Sequence, residues 1–232
     1  MKLYYAPGAC SLSSHIALRE ADRRFELVRV DLKIHRTASG ADFLAINPKG
    51  SVPALQIAGS GSTVLTDVSE ILQYIGDLTP ETNLVPPTGT VARSHLQDWL
   101  AVISNEIHQP FVPLFDPQTP GGIAQRQRGL IGQQMIHLQD VLDDRAFLMG
   151  ETFTVADALL FVMLQWCGPH GIDLSLYPNV ADYDSRMLQR PAVQAAMAAE
   201  GLLAQHRERA ARDPGAPSLA ARRADDRSHA KW

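Results

Sequence analysis

The 232-residue sequence predicts a small α/β unit followed by an all-helical unit. Three observations predict it. Short strand signals alternate with helical ones as far as about residue 80 and then vanish. From residue 90 to about 204, apolar residues recur at spacings of three and four, the signature of amphipathic helices. Between the two parts lies "TPETNLVPPTG" (79–89), whose Pro and Thr content marks a linker. The expected organisation is therefore a first domain over 1–80, a second over 90–204 and a tail over 205–232.

"KLYY" (2–5) is aromatic and apolar, hence a strand. After the Pro7-Gly8 turn, Leu12, Ile16 and Leu18 give a loose helical stripe over about 11–22. "FELVRV" (25–30) alternates as a second strand. A polar stretch (31–42) leads to a helical turn around Phe43 and Leu44. "VPALQI" (52–57) and "TVLT" (63–66) flank "AGSGS", a hairpin pattern, and "DVSEILQYIGDL" (67–78) closes the unit with a helix. Beyond the linker, Leu96, Trp99, Leu100, Ile103, Ile107 and Phe111 mark one long helix, and residues 124–145 a second. Thr154 with Asp157 three residues on reads as a capping box before the apolar "VADALLFVMLQWC" (155–167). A last helix occupies about 180–200, bent or split at Pro191.

Composition excludes several function classes. Against 21 Lys and Arg stand 25 Asp and Glu, a formal net charge of -4, which predicts neither a nucleic-acid nor an anionic-membrane partner. The most apolar run carries Asp157 and is too short to span a bilayer. Residues 1–9 have no signal-peptide pattern, and the two cysteines lie far apart, so reduced thiols in a cytoplasm are expected. None of the eight histidines shows a metal-ligand spacing. Residues 205–232 hold seven basic and four acidic side chains and almost nothing large and apolar; disorder is predicted there, with a basic docking tail as the alternative.

Chemistry concentrates at three places. Cys10 stands where the first strand gives way to the first helix, so its sulfur meets the unpaired amides and positive end of that helix, which favour thiolate over thiol. "CSLS" is also a C-x-x-S pattern, with Ser13 where a resolving cysteine would stand; such a site can form a mixed disulfide but cannot close its own ring. The competing reading is a small buried apolar residue at a strand–helix junction. The other cysteine, Cys167, ends an apolar helix and reads as inert core. Val52-Pro53 is the second place: a cis bond there would turn the backbone of Val52 outward toward a peptide-like ligand. The third is "TDVSE" (66–70), either a plain helix cap through Asp67 or a site for both charges of an α-amino acid. In the second reading the amides of Val68 and Ser69 would take the carboxylate and Asp67 the ammonium.

Together with "MKLYYAPGACSLSSHIALREA", the stretches "FLAINPKGSVPALQ", "LTDVSEILQYIGD", "EIHQPFVPLF", "FTVADALLFVMLQW" and the "AEGL" end resemble a bacterial beta-class glutathione transferase, from residue 1 to about 204. The resemblance implies a thioredoxin-like N-terminal domain, an all-α C-terminal domain, and a homodimer. It implies that Cys10 contacts the sulfur of glutathione and that the backbone at Val52, beside Pro53, pairs with the tripeptide's cysteinyl part. It also implies that Asp67 and Val68 hold the γ-glutamyl end. From the helical domain it brings Asn105, Glu106 and His108, with His108 near the sulfur. Helical spacing independently puts 101, 105 and 108 on one stripe, opposite Trp99, Ile103 and Ile107.

Departures from the family pattern fall on the glutathione handle. His35 and Gln109 stand where lysines are usual, Ala101 where asparagine is usual, and Asp67-Val68 where Glu-Gly or Glu-Ser is usual. Charge-assisted hydrogen bonds contribute about 1.5–3 kcal/mol each, so glutathione affinity about one to three decades below the family's is expected. The leading expectation is a glutathione-dependent enzyme acting on a small hydrophobic electrophile or a disulfide by conjugation, thiol transfer or dehalogenation. The alternatives are a non-catalytic binding or regulatory protein that kept the fold, and an enzyme using another thiol.

Overall fold

The structure is a computed structural model that describes residues 1–57, 59 and 63–204. The expectations for 205–232, and most of the "AGSGS" turn, lie outside the described residues. The N-terminal unit is a five-stranded mixed sheet in the order β3-β2-β1-β4-β5, with β1 Lys2–Tyr5, β2 Glu26–Asp31, β3 Arg36–Thr37, β4 Ala54–Gln56 and β5 Val64–Leu65. β1 runs parallel to β2 (Leu3 beside Leu27) and antiparallel to β4 (Leu3 beside Leu55), and β4 pairs antiparallel with β5. Helices α1 Ser11–Glu20 and α2 Val68–Asp77 complete the unit.

Two details differ from the sequence reading. Arg36–Thr37 pairs with Val30–Asp31 as a short strand inside the stretch read as polar loop; two residues are too few to make an alternating pattern. Around Phe43 the expected helical turn forms, Asn47 N donating to Phe43 O at 2.8 Å, and Phe43 is buried against Tyr4, ring centroids 5.8 Å apart. The strand expected over 52–57 begins only at Ala54, since Pro53 has no amide to give to a ladder.

The helical unit comprises α3 Val91–Val102, α4 Gly121–Val141, α5 Val155–Cys167, α6 Pro178–Leu188 and α7 Pro191–Ala199. Pro191 divides the expected last helix by taking the first position of α7, where a missing amide costs nothing. The long helix after the linker is not uniform. It opens into a π-helical turn at Ile103–His108, passes through Gln109–Phe111 and tightens to a 3₁₀ turn at Val112–Phe115. Pro110 and Pro113 cannot donate to the carbonyls four residues back, which is the physical reason for the irregularity.

At the centre lies α5, with every residue but Gln165 buried. The predicted capping box forms there. Asp157 Oδ2 accepts from Thr154 N (2.8 Å) and Thr154 Oγ1 (2.9 Å), while Oδ1 accepts from Leu148 N (2.9 Å) and the Tyr183 hydroxyl (3.0 Å). The two units meet along α1, whose residues Ser11–Leu18 are all buried between α2, α5 and α7. That all-round burial explains why its apolar stripe is loose.

A buried polar chain crosses this junction. Arg19 Nε donates to His15 Nε2 (2.8 Å), so His15 carries its proton on Nδ1 and gives it to Glu200 Oε1 (2.9 Å). Glu200 Oε2 accepts the amide of Gly8 (3.0 Å), and the Gly8 carbonyl accepts from Trp166 Nε1 (2.8 Å). Glu200→Ala leaves the His15 and Gly8 donors buried without partners. The expected cost is about 2–4 kcal/mol, read as a lowered midpoint with unchanged slope in urea denaturation.

Candidate active site

The turn that delivers Cys10 is built from local bonds. Gly8 adopts the left-handed conformation (φ +72°), Ala9 N donates to Ala6 O (3.1 Å), and the Ser11 hydroxyl lies 3.3 Å from both backbone polar atoms of Ala6. Cys10 is the N-cap residue of α1 and is half-buried, its sulfur facing the neighbouring loop. There Sγ donates to the carbonyl of Val52 (3.1 Å), and the Val52–Pro53 peptide is cis. Ser13 of the C-x-x-S pattern gives its hydroxyl to the Cys10 carbonyl (2.6 Å) rather than to the sulfur.

Two opposing effects act on the sulfur. Burial pushes the Cys10 thiol up to about 12, and the negative charge of Asp67 acts the same way, while the backbone amides of Cys10 and Ser11 pull it down. The helix terminus works in the expected direction, and in the ligand-free protein desolvation opposes it as the larger effect, favouring the thiol. Alkylation of the free protein at Cys10 by iodoacetamide should therefore rise about tenfold per pH unit through the neutral range, because each unit multiplies a small thiolate fraction tenfold. Intact mass against time, with Cys10→Ala as blank, measures it; a plateau near neutrality would overturn the assignment.

At the start of α2 both sequence readings meet one geometry. Asp67 Oδ1 accepts from Ser69 N (2.9 Å) and Glu70 N (3.1 Å), so the cap is formed and the Ser69 amide is committed to it. Val68 N lies outside that cap, and the Ser69 hydroxyl instead meets Ser104 Oγ (3.3 Å) across the domain junction. His35 sits in the left-handed region (φ +50°), half-buried, with a buried Nδ1 that has no protein partner. Its ring packs so closely on Gly50 (φ +67°) that a Cβ there would come within 2.8 Å of Cε1.

On the helical side Ala101 and Asn105 are exposed while Ile103 and Ile107 are buried, as the spacing implied, with Ile103–His108 wound as a π turn. His108 packs on Trp166 (ring centroids 5.4 Å apart), and burial holds its imidazole below the usual histidine range, favouring the neutral ring. Asn105 is exposed, and Glu106 accepts from Gln134 of α4 (2.8 Å). Ala101 and Gln109 are exposed as well. Thus the Cys10 sulfur and the Val52 carbonyl come together, the charge of Asp67 acts on that sulfur, and His108 packs on Trp166, whose indole N–H donates to the Gly8 carbonyl.

Beside Gly8 lies a cavity of about 220 Å³ between the units, lined by Pro7, Leu12, Phe115, Trp166, His170 and Leu202 among others. Phe115 stands edge-on to Trp166 and to His170, at 4.9 and 4.7 Å. The sequence reading assigned no role to Trp166, His170 or Glu200. Glu200 sits inside the quoted "AEGL", yet only its buried partners disclose what it does. Among the described residues, no cluster of three His, Cys, Asp or Glu could hold a metal ion, and no helix is long and apolar enough to cross a membrane.

This geometry has close counterparts. Residues 8–78 match the family model for the glutathione S-transferase N-terminal domain, and residues 122–204 that for the C-terminal domain. Glutathione S-transferase GstA of Escherichia coli O157:H7 is 41% identical over 202 residues, covering 87% of this chain and all of the relative. A structure of a bacterial beta-class glutathione S-transferase from Sphingomonas chungbukensis superposes with a TM-score of 0.84 at 43% identity, covering 88% of this chain and 100% of the other. A sphingomonad glutathione S-transferase complexed with glutathione gives 0.83 at 42%, covering 87% and 100%. The chain belongs to the glutathione S-transferase family, and it is a transferase with glutathione as its co-substrate. Its thioredoxin-like and all-helical parts are those of the fold. Within the family it is of the bacterial beta class.

Proposed function

We propose that Cys10 is the reactive thiol of this transferase and that glutathione docks along the edge formed by Val52, Pro53, Asp67 and Val68. The observation that carries this reading is the contact of the Cys10 sulfur with the Val52 carbonyl 3.1 Å away, beside the cis Val52–Pro53 peptide, with the negative charge of Asp67 acting on the same sulfur. The Val52 backbone would pair with the cysteinyl unit, while Asp67 would take the α-ammonium and the Val68 amide the carboxylate. His35, its Nδ1 buried against Gly50, would lie toward the glycyl end. Asn105 and Glu106 complete the assigned handle, and His108, neutral and close to the Trp166 ring, would lie near the glutathione sulfur.

Two reactions follow from this arrangement. In conjugation, the glutathione thiolate attacks the electrophilic carbon, a carbon–sulfur bond forms, and the leaving group departs with its electron pair. In thiol transfer, the Cys10 thiolate attacks glutathione disulfide, one sulfur becomes bound to Cys10, and glutathione thiolate leaves. The cavity walled by Phe115, Trp166 and His170 suits a hydrophobic electrophile, and its place beside Gly8 supports delivery toward the sulfur. The rest of the reading is a homodimer that detoxifies such compounds in a cytoplasm.

Calorimetric titration of the full chain with glutathione, followed by conjugation of an aryl halide, tests the assignment. Saturable binding weakened at least about tenfold by Asp67→Ala is expected, since a charge-assisted contact is lost. Binding indifferent to that change would remove the proposed docking edge.

A further inference from the structure

We infer that Gln165 is a specificity-determining residue of this transferase: its anchored side-chain amide selects small uncharged electrophiles that carry one hydrogen-bond donor on an apolar frame. The inference rests on the reading above that the electrophile occupies the cavity beside Gly8.

Gln165 breaks the pattern of α5. Every other residue of that helix is buried, whereas Gln165 is half-buried and lines the cavity. A free amide there would present donor and acceptor alike. This one is anchored: Nε2 donates to Asp184 Oδ1 of α6 at 2.7 Å, and Asp184 does not itself line the cavity. A carboxylate only accepts, so the nitrogen end of the amide must face Asp184 and the carbonyl end, Oε1, is left for the cavity.

The rest of the lining offers a ligand little polarity. The Trp166 indole N–H is committed to the Gly8 carbonyl, and the Gly8 amide to Glu200. The His170 ring stands edge-on to Phe115 at 4.7 Å, and burial favours its neutral form. The remaining side chains, Phe115 and Leu202 among them, are apolar, and among the described residues no Lys, Arg, Asp or Glu lines the cavity. A charged substituent would enter without a counter-charge, whereas a hydroxyl or amide N–H finds an acceptor in Gln165. An electrophile with no donor leaves that carbonyl desolvated and unpaired, so the acceptor discriminates against it.

The test compares 4-(hydroxymethyl)cinnamaldehyde with 4-ethylcinnamaldehyde, which match in heavy-atom count and differ in one donor. With either, the glutathione thiolate adds to the β-carbon of the enal and the α-carbon takes up a proton, so no group leaves. For the full chain, kcat/KM for each electrophile is measured at saturating glutathione and divided by its uncatalysed rate with glutathione. Burial pushes the Asp184 carboxyl up to about 7, so the assay is run at about pH 8, where it is largely ionised. Wild type should prefer the hydroxymethyl compound about tenfold, and Gln165→Met, of equal length but without a carbonyl, should bring the ratio to one or below. Each ratio is taken within one preparation, so a loss of folded protein cancels. Leu202→Trp, which fills part of the cavity, should slow both compounds. A wild-type ratio near one, or a preference that survives Gln165→Met, would overturn the role of Gln165, and slowing by Leu202→Trp would then leave the cavity reading standing. Rates indifferent to Leu202→Trp would overturn that reading and this inference together.

Discussion

Cys10→Ser is expected to abolish the glutathione adduct. When the protein is incubated with glutathione disulfide and weighed intact, the wild type should gain the mass of one glutathione and the variant none. Disulfide exchange should fall at least about a hundredfold, because a serine hydroxyl is not ionised by any field this site supplies. Cys167 cannot substitute. It is fully buried in α5, burial pushes its thiol up to about 12, and its sulfur is given to the Met163 carbonyl at 3.7 Å. Conjugation of an aryl halide should suffer less, because there the nucleophile belongs to glutathione. An adduct of undiminished yield in Cys10→Ser would remove Cys10 from the chemistry.

Asp157→Ala should produce the largest loss of stability, on the order of 3–5 kcal/mol, or about 10 °C in melting temperature for a protein of this size. Its carboxylate receives four donors from three separate places: the cap of α5, the Leu148 amide and the Tyr183 hydroxyl on α6. Alanine strands all of them in the interior. Asp157→Asn should lose less, since a neutral amide keeps one acceptor and sheds the desolvation that holds the Asp157 carboxyl above the usual carboxylate range. The sign of the pH effect follows. The folded state binds the Asp157 proton more tightly than the unfolded chain, so stability from this residue declines as pH rises beyond the unfolded carboxylate range. The asparagine variant should lack that slope. Urea denaturation of the three proteins across the acidic range measures both effects, and an alanine variant within about 1 kcal/mol of wild type would contradict the account.

The stability of the helical unit and the chemistry of the N-terminal unit are joined at Gly8. Its amide and its carbonyl are both held by side chains of the helical part, Glu200 and Trp166. The turn that presents Cys10 therefore depends on residues about 160 and 190 positions away in the chain. Neither partner carries a local pattern: Glu200 follows an alanine-rich helix, and Trp166 sits in an apolar run where an aromatic residue reads as core.

What could be read without coordinates is what local sequence controls. The order of the longer strands and the helices of the first unit, the capping pair Thr154–Asp157 and the break at Pro191 all depend on neighbours a few residues apart. The position of Cys10 at the strand–helix junction does too. The quoted family stretches extended that to the candidate site. Three things needed the tertiary structure. One is the π turn at Ile103–His108, with the contacts of His108 to Trp166 and of Glu106 to Gln134. Another is the commitment of the Ser69 amide to Asp67. The last is the state of the Cys10 thiol. Helix polarity is written in the order of residues, but desolvation depends on what the rest of the chain packs around a sulfur, and here it is the larger of the two.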